Sequence, residues 1–153
     1  MAVPAAPTNA WSPTSIAAGF VAGALSVLVF QMGLGALLHG LGITPNTPYS
    51  MAPTSPLGVP QTLSAAFWGG LWGILLQAIL LRVRPGPAYW AAAAALGGFL
   101  VGGTLLLVVF PLKGRPFAAG WSPETWLLIL CLHATFGLGT AVFLRVIERM
   151  GWR

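Results

Sequence analysis

Acidic residues are almost absent from this chain. It contains no aspartate, and Glu124 and Glu148 are its only two acidic residues. Paired-carboxylate hydrolysis, carboxylate metal cages and most phosphoryl-transfer sites need acidic side chains at close spacing. The composition therefore argues against these reaction classes. A single cysteine, Cys131, also excludes an internal disulfide and a cysteine-based zinc site.

Charge of either sign is scarce. Seven basic and two acidic residues give a net charge of +5, and charged residues make up only 6% of the 153 residues. A soluble domain is about 25% charged, so these side chains cannot cover a soluble globule of this size. Hydrophobic residues reach 57% and the mean hydropathy is +0.85. The composition disfavours a soluble enzyme, a disordered tail or a nucleic-acid-binding module, and it predicts a multi-span membrane protein.

Four apolar stretches are long enough to cross a bilayer, which takes roughly 20 helical residues. They cover residues 14–41, 63–81, 88–110 and 123–147, and none carries a charge in its centre. The first lacks a basic n-region and is longer than a signal-peptide core, so we expect it to be retained. The sequence thus predicts an all-α membrane protein, residues 1–153 forming one domain, with four transmembrane helices in a compact bundle.

The basic residues that flank the spans predict the orientation. Five arginines fall on the side that holds both termini and two basic residues on the other side: Arg82, Arg84, Arg145, Arg149 and Arg153 against Lys113 and Arg115. The positive-inside rule then places both termini in the cytoplasm. Aromatic residues flank the spans at both predicted interfaces, Trp11 and Trp152 among them. We expect Lys113 and Arg115, on the outer face, to meet lipid phosphates.

The segment at residues 42–61 has no charge and five prolines, Pro45, Pro48, Pro53, Pro56 and Pro60. Proline restricts φ, so this outer loop should be extended and comparatively stiff. It is either a connector or a lid or docking strap across the mouth of the bundle.

Small residues at a spacing of four mark helix contacts inside a membrane, because they let two backbones approach closely. Each span has such a seam. The predicted packing residues are Gly19 and Gly23, Gly69 and Gly73, Gly98 and Gly102, and Gly137 with Ala141. The seams fit a compact bundle, or a bundle together with a partner protein.

Polar residues inside a membrane are costly and therefore suggest function. At a rise of about 1.5 Å per residue, Gln31 and His133 both lie about 15 Å from the outer ends of their spans. The two form the candidate intramembrane polar site. The simplest interpretation is a neutral His133 hydrogen-bonded to Gln31 or to a backbone carbonyl. A proton or substrate path is the alternative. Haem ligation by His39 and His133 is disfavoured by their different depths, and a metal site lacks a third ligand.

Residues 30–73, FQMGLGALLHGLGITPNTPYSMAPTSPLGVPQTLSAAFWGGLWG, resemble a type of small, uncharacterised four-span protein of proteobacterial inner membranes. The similarity extends to residues 108–123, VVFPLKGRPFAAGWSP. The resemblance implies a bacterial inner-membrane protein and carries over no activity, cofactor or binding residue.

Three functional hypotheses follow. The first is a non-enzymatic accessory or assembly subunit of a larger membrane complex, with lipid and a membrane-protein partner or a second copy as its contacts. The second is a small carrier or channel that uses Gln31 and His133, either as a single chain or as a homo-oligomer. A lipid-modifying enzyme is disfavoured, because no set of nucleophile, base and orienting residue is present. The sequence predicts no cofactor, metal or nucleic-acid partner.

Overall fold

The computed structural model describes residues 9–151, and 74% of these described residues are helical. Four helices are long and apolar enough to cross a membrane, which confirms the predicted number of spans. They are α1 (Pro13–Gly40), α2 (Gln61–Leu80), α3 (Pro87–Leu112) and α4 (Pro123–Arg149). Trp152 and Arg153, used above to predict an interface and the orientation, lie outside the described residues.

Two of the helices begin with the same local motif. Ser12 and Ser122 precede a proline, and their Oγ atoms accept hydrogen bonds from the backbone N–H groups of Ser15 and Thr125, at 3.1 and 3.3 Å. A serine cap satisfies one of the amides that a helix start leaves unpaired, and proline suits the first position because its missing N–H costs nothing there.

Segments of π-helix interrupt two of the spans. They cover Val27–Gln31 in α1 and both Leu96–Gly102 and Leu105–Val109 in α3. A π turn holds more residues than an α turn, so it rotates the residues that follow around the helix axis. The face that each of these helices presents to its neighbours therefore departs from a constant period of 3.6.

The helices pack as antiparallel neighbours, as the contacts between their glycines show. A Cβ built on Gly23 of α1 would lie 2.8 Å from the Cα of Gly73 in α2. One built on Gly97 of α3 would lie 2.8 Å from the Cα of Gly137 in α4. Helix α1 also packs along α4, where the Ser26 hydroxyl donates to the Phe136 carbonyl oxygen at 2.6 Å.

This arrangement gives the molecule two distinct ends. We call the end with Arg82, Arg84, Arg145 and Arg149 the arginine end, where α1 and α3 begin and α2 and α4 finish. We call the opposite end, with the segments between α1 and α2 and between α3 and α4, the loop end. Both segments at the loop end are irregular, apart from a 3₁₀ segment at Phe117–Trp121 and a two-stranded ribbon.

The ribbon is a small departure from the all-helical expectation. Strands β1 (Pro53–Thr54) and β2 (Val59–Pro60) pair antiparallel within the proline-rich segment. The Thr54 hydroxyl donates to the Val59 carbonyl oxygen at 2.8 Å and reinforces the pair. Prolines bound the two strands, since a proline has no N–H to continue a ladder.

Candidate functional site

His133 lies on α4 at the centre of the molecule and is 9% exposed. Its Nδ1 lies 2.8 Å from the carbonyl oxygen of Ile129, one turn earlier on the same helix. A carbonyl oxygen can only accept, so Nδ1 carries the proton of this hydrogen bond. In a neutral ring, Nε2 is then left as an acceptor.

Gln31 supplies the partner for that acceptor. Its Nε2 lies 3.4 Å from Nε2 of His133, across the α1–α4 contact. An amide nitrogen donates, so the tautomer fixed by Ile129 and the donor from Gln31 are mutually consistent. The structure thus brings together the two polar residues singled out in the sequence. Their separation is at the long end of the hydrogen-bond range.

The pair lies well away from both ends of the helices. Gln31 precedes Gly40 by nine residues and His133 follows Pro123 by ten, which corresponds to depths of about 14 and 15 Å from the loop end. A Cβ built on Gly102 of α3 would lie 3.3 Å from Cβ of His133. Helices α1 and α3 therefore both border His133.

The chemistry available at this pair is limited to hydrogen bonding and proton exchange. His39, the other histidine, lies near the loop end and its Nδ1 donates to the Thr44 carbonyl oxygen at 3.1 Å. Cys131 is exposed. Within residues 9–151 there is no group of three or more His, Cys, Asp or Glu side chains that could hold a metal ion.

Ser26 belongs to the same interface, although the sequence reasoning missed it. The side chain is fully buried, and its hydroxyl bonds to the Phe136 carbonyl oxygen, which also accepts from the Thr140 hydroxyl at 2.9 Å. Extending the row of Gly19 and Gly23 by three residues would have found it. A serine is small enough for a helix contact and adds a hydrogen bond across it.

The small-residue seams predicted for α1 and for α2 meet each other at a close backbone approach. Gly19, Gly23, Gly69 and Gly73 are all buried, and a Cβ on any of them would clash with the opposite helix. Gly19 faces Gln77 and the backbone of Ile74. Only glycine leaves the space for this contact.

Between α3 and α4 the closest approach involves a glycine that the sequence reasoning did not select. Gly97 lies against the His133 carbonyl oxygen and Gly137, whereas a Cβ on Gly98 would lie 3.3 Å from the Leu130 carbonyl oxygen. Gly98 and Gly102 are buried at the same interface but are less tightly packed. The spacing of four between Ala93 and Gly97 is the signal that marks the tighter row, because Ala93 contacts Gly137.

Lys113 and Arg115 are exposed at the loop end, directly after α3. The Arg115 guanidinium carbon lies 5.2 Å from the centre of the Phe110 ring, a distance at which a cation is attracted to an aromatic face. Lys113 and Arg115 are both far from Gln31 in the sequence. No described hydrogen bond joins either of them to the Gln31–His133 pair.

The proline-rich segment folds back along α1 instead of extending from the end of the helix. The Tyr49 hydroxyl donates to the Leu28 carbonyl oxygen at 2.8 Å, and Leu28 lies about 18 Å before the end of α1. Helix α2 has 20 residues against 28 in α1, so the segment lies where α2 has not yet begun. It therefore covers the space beside the outer part of α1.

Comparison of the chain with protein-family models, curated proteins and solved structures gives no match.

Proposed function

We propose that this chain is a non-enzymatic, multi-pass accessory or assembly subunit of a larger membrane complex. The observation that supports this function is the outer part of α1, which the rest of the chain covers only in part. None of the nine residues of Met32–Gly40 is buried, although α1 as a whole is apolar enough to span a membrane. Helix α1 is also 22% buried over its most apolar window, against 39% for each of the other three helices.

The composition of this surface suits a second helix. Gly33 has nothing within 4 Å of an added Cβ, and Leu37, one turn further along the same face of the helix, is 59% exposed. Helices associate in lipid through close packing at small residues, since lipid and side chains are equally apolar. A membrane-protein partner helix would complete the packing that α1 lacks within its own chain.

The proposal includes a location and an orientation. The chain lies in a bacterial inner membrane as a compact four-helix bundle with both termini in the cytoplasm, so that the arginine end faces the cytoplasm. The charge asymmetry supports this orientation, because Arg82, Arg84, Arg145 and Arg149 outnumber Lys113 and Arg115. The resemblance to small proteobacterial inner-membrane proteins supports the location.

The test is purification of the tagged chain from its native membrane in gentle detergent, followed by mass spectrometry of what accompanies it. Gly33→Leu should remove the partner because it fills the proposed contact. Gly103→Leu is the matched control, since Gly103 also has nothing within 4 Å but lies on α3. Purification of the parent chain without any stoichiometric membrane protein, or equal loss in both variants, would contradict the proposal.

A small carrier or channel remains the second candidate, and one observation favours it. Gln31 and His133 meet at 3.4 Å, deep between the helix ends, and polar pairs at such depth mark substrate and proton paths in other membrane proteins. The test is flux in liposomes between pH 5 and 8. A carrier predicts transport that depends on His133, whereas a purely structural pair predicts none.

A further inference from the structure

A pocket of about 190 Å³ opens at the arginine end, far from the Gln31–His133 pair along the helices. All four helices contribute to it, through Ser15 of α1, Gln77 and Leu80 of α2, Tyr89 of α3 and Arg145 of α4. Each of these residues lies within about one turn of a helix end, which is a depth of at most about 6 Å. This is the level of lipid head groups when the helices span a bilayer.

Hydrogen-bond donors dominate the polar lining. Gln77 and Ser15 are each 7% exposed, yet no side-chain hydrogen bond joins either of them to another described residue. Oε1 of Gln77 is packed against Gly19, which leaves the amide nitrogen as the group that can serve the pocket. The Gln77 amide nitrogen and the Ser15 hydroxyl can each donate, so a ligand with hydrogen-bond acceptors would suit this part of the lining.

Arg145 adds a cation that the fold holds in place. Its guanidinium carbon lies 4.2 Å from the centre of the Tyr89 ring, and Nη1 lies 3.2 Å from Oε2 of Glu148. A guanidinium has five N–H donors in a planar fork, so the ion pair through Nη1 leaves donors for a further oxygen ligand. The fork matches the geometry of a phosphate group.

The net charge of this end of the molecule also favours an anion. The described residues of the arginine end include four arginines and one carboxylate, that of Glu148, and of the arginines Arg145 lines the pocket. The Glu148 carboxylate also lines the pocket, where it pairs with Arg145. The rest of the lining is apolar, with Ala18, Leu80, Leu81, Val83, Pro85, Leu144 and Ile147. A ligand with a phosphate group and an apolar portion would match both parts of this lining.

We infer that this pocket binds a phosphate group, with Arg145, Gln77 and Ser15 as its donors. The phosphate belongs either to the head group of an anionic phospholipid or to a soluble phosphate compound. The two sources share the same contacts with the three donors. They differ in whether the apolar lining is also covered.

The test is native mass spectrometry of the purified full-length chain with phosphatidylglycerol as the probe. Arg145→Gln should weaken the lipid adduct about tenfold, as expected for loss of a charge-assisted hydrogen bond. Gln77→Met removes the amide at similar length and should weaken it roughly threefold. Arg149→Gln and Gln61→Met are matched controls on the same helices, exposed and outside the pocket, and should leave the adduct unchanged.

Two further measurements identify the source and guard against misfolding. Competition with phosphatidylcholine tests whether the pocket selects the anionic head group. If inorganic phosphate alone prevents the lipid adduct from forming, the ligand is a soluble phosphate compound. If Arg145→Gln fails to fold, Arg145→Lys and Ser15→Ala carry the test, with circular dichroism to verify the helices. Equal weakening by Arg149→Gln and Arg145→Gln would overturn the pocket in favour of diffuse surface charge. So would an unaltered adduct in both Gln77→Met and Arg145→Gln.

Discussion

At the scale of single residues, the side chain of His133 on α4 contacts both α1 and α3. Its ring donates to α4 through Ile129 and accepts from Gln31 on α1, while Gly102 of α3 lies against its Cβ. Each ring nitrogen has one partner, as a buried neutral imidazole requires. This geometry defines what substitutions at the position should do.

His133→Gln separates a structural role from a relay role. If the pair is structural, an amide can keep one of the hydrogen bonds and the fold should persist with little change in thermal stability. If His133 relays protons, the same change should abolish pH-dependent flux in liposomes, because an amide does not titrate near neutral pH. Flux that is absent in the parent chain between pH 5 and 8 would count against the carrier.

His133→Leu tests the strength of the pair. It leaves Gln31 without its acceptor, so unfolding in detergent should become easier by about 1–3 kcal/mol, nearer the lower value within a membrane. The parallel variant Gln31→Leu should cost a similar amount, and the double variant less than the sum. Strictly additive losses would mean that the two side chains do not stabilise each other.

Gly73→Leu tests the contact between α1 and α2. An added side chain would meet Gly19 and Gly23, whose backbone atoms cannot move without separating the helices. Overpacking of this kind should cost about 1–3 kcal/mol of unfolding free energy. Gly103→Leu provides the comparison, because its Cβ would meet nothing within 4 Å and stability should be retained. Equal melting temperatures for the two variants would place the Gly73 face against lipid.

At the scale of elements, the proline-rich segment and the short α2 belong together. Helix α2 begins with Gln61, whose backbone N–H bonds to the Ala52 carbonyl oxygen at 3.0 Å, and the next amide, of Thr62, bonds to the Ser50 carbonyl oxygen at 3.0 Å. The segment therefore supplies partners for the open start of α2 while Tyr49 fastens it to α1. Its lack of charge suits a position beside a membrane-spanning helix, since charges there would be costly.

Tyr49→Phe should release this segment without disturbing the helices. The change removes only the donor to the Leu28 carbonyl oxygen, a loss of about 1 kcal/mol. Hydrogen exchange measured by mass spectrometry should become faster over residues 50–62 and remain unchanged in α3 and α4. Thr47→Val is the matched control, because Thr47 is exposed and its side chain makes no described hydrogen bond. Equal exchange in the parent and Tyr49→Phe would show that the Tyr49 contact does not hold the segment.

At the scale of the whole molecule, the antiparallel order of the helices puts the arginine end and the loop end at opposite ends of the helices, so the proposed topology has them on opposite sides of a bilayer. Reporter fusions at Gly58 and Ala118 should therefore read outside, and fusions at Gly86 and after the last residue should read inside. The positive-inside rule gives this direction, because the arginines concentrate around Gly86 and the end of α4. A cytoplasmic signal at Gly58 would invert the orientation and also turn the pocket of Arg145 to the outer face.

Much of the candidate site could be predicted from the sequence, and the reason differs from residue to residue. Counting residues along a helix gives the depth of each side chain, so the sequence alone could predict that Gln31 and His133 lie at a similar depth. That Gly97, and not Gly98, makes the tightest contact could not be predicted in this way. Helices that are apolar all round carry little information about which face turns inward. The π segment Leu96–Gly102 shifts that face further.

The sequence by itself determined that the chain has four helices long and apolar enough to span a membrane, because hydropathy and span length sum over local residues and need no knowledge of their neighbours. Serine, proline and glycine marked where those helices begin and where they approach one another. Only the tertiary structure decided that Tyr49 reaches back to Leu28 and that Ser15, Gln77, Tyr89 and Arg145 meet in one pocket. These residues are distant in sequence, and their meeting depends on the rotation and relative height of the helices, which packing between the helices sets.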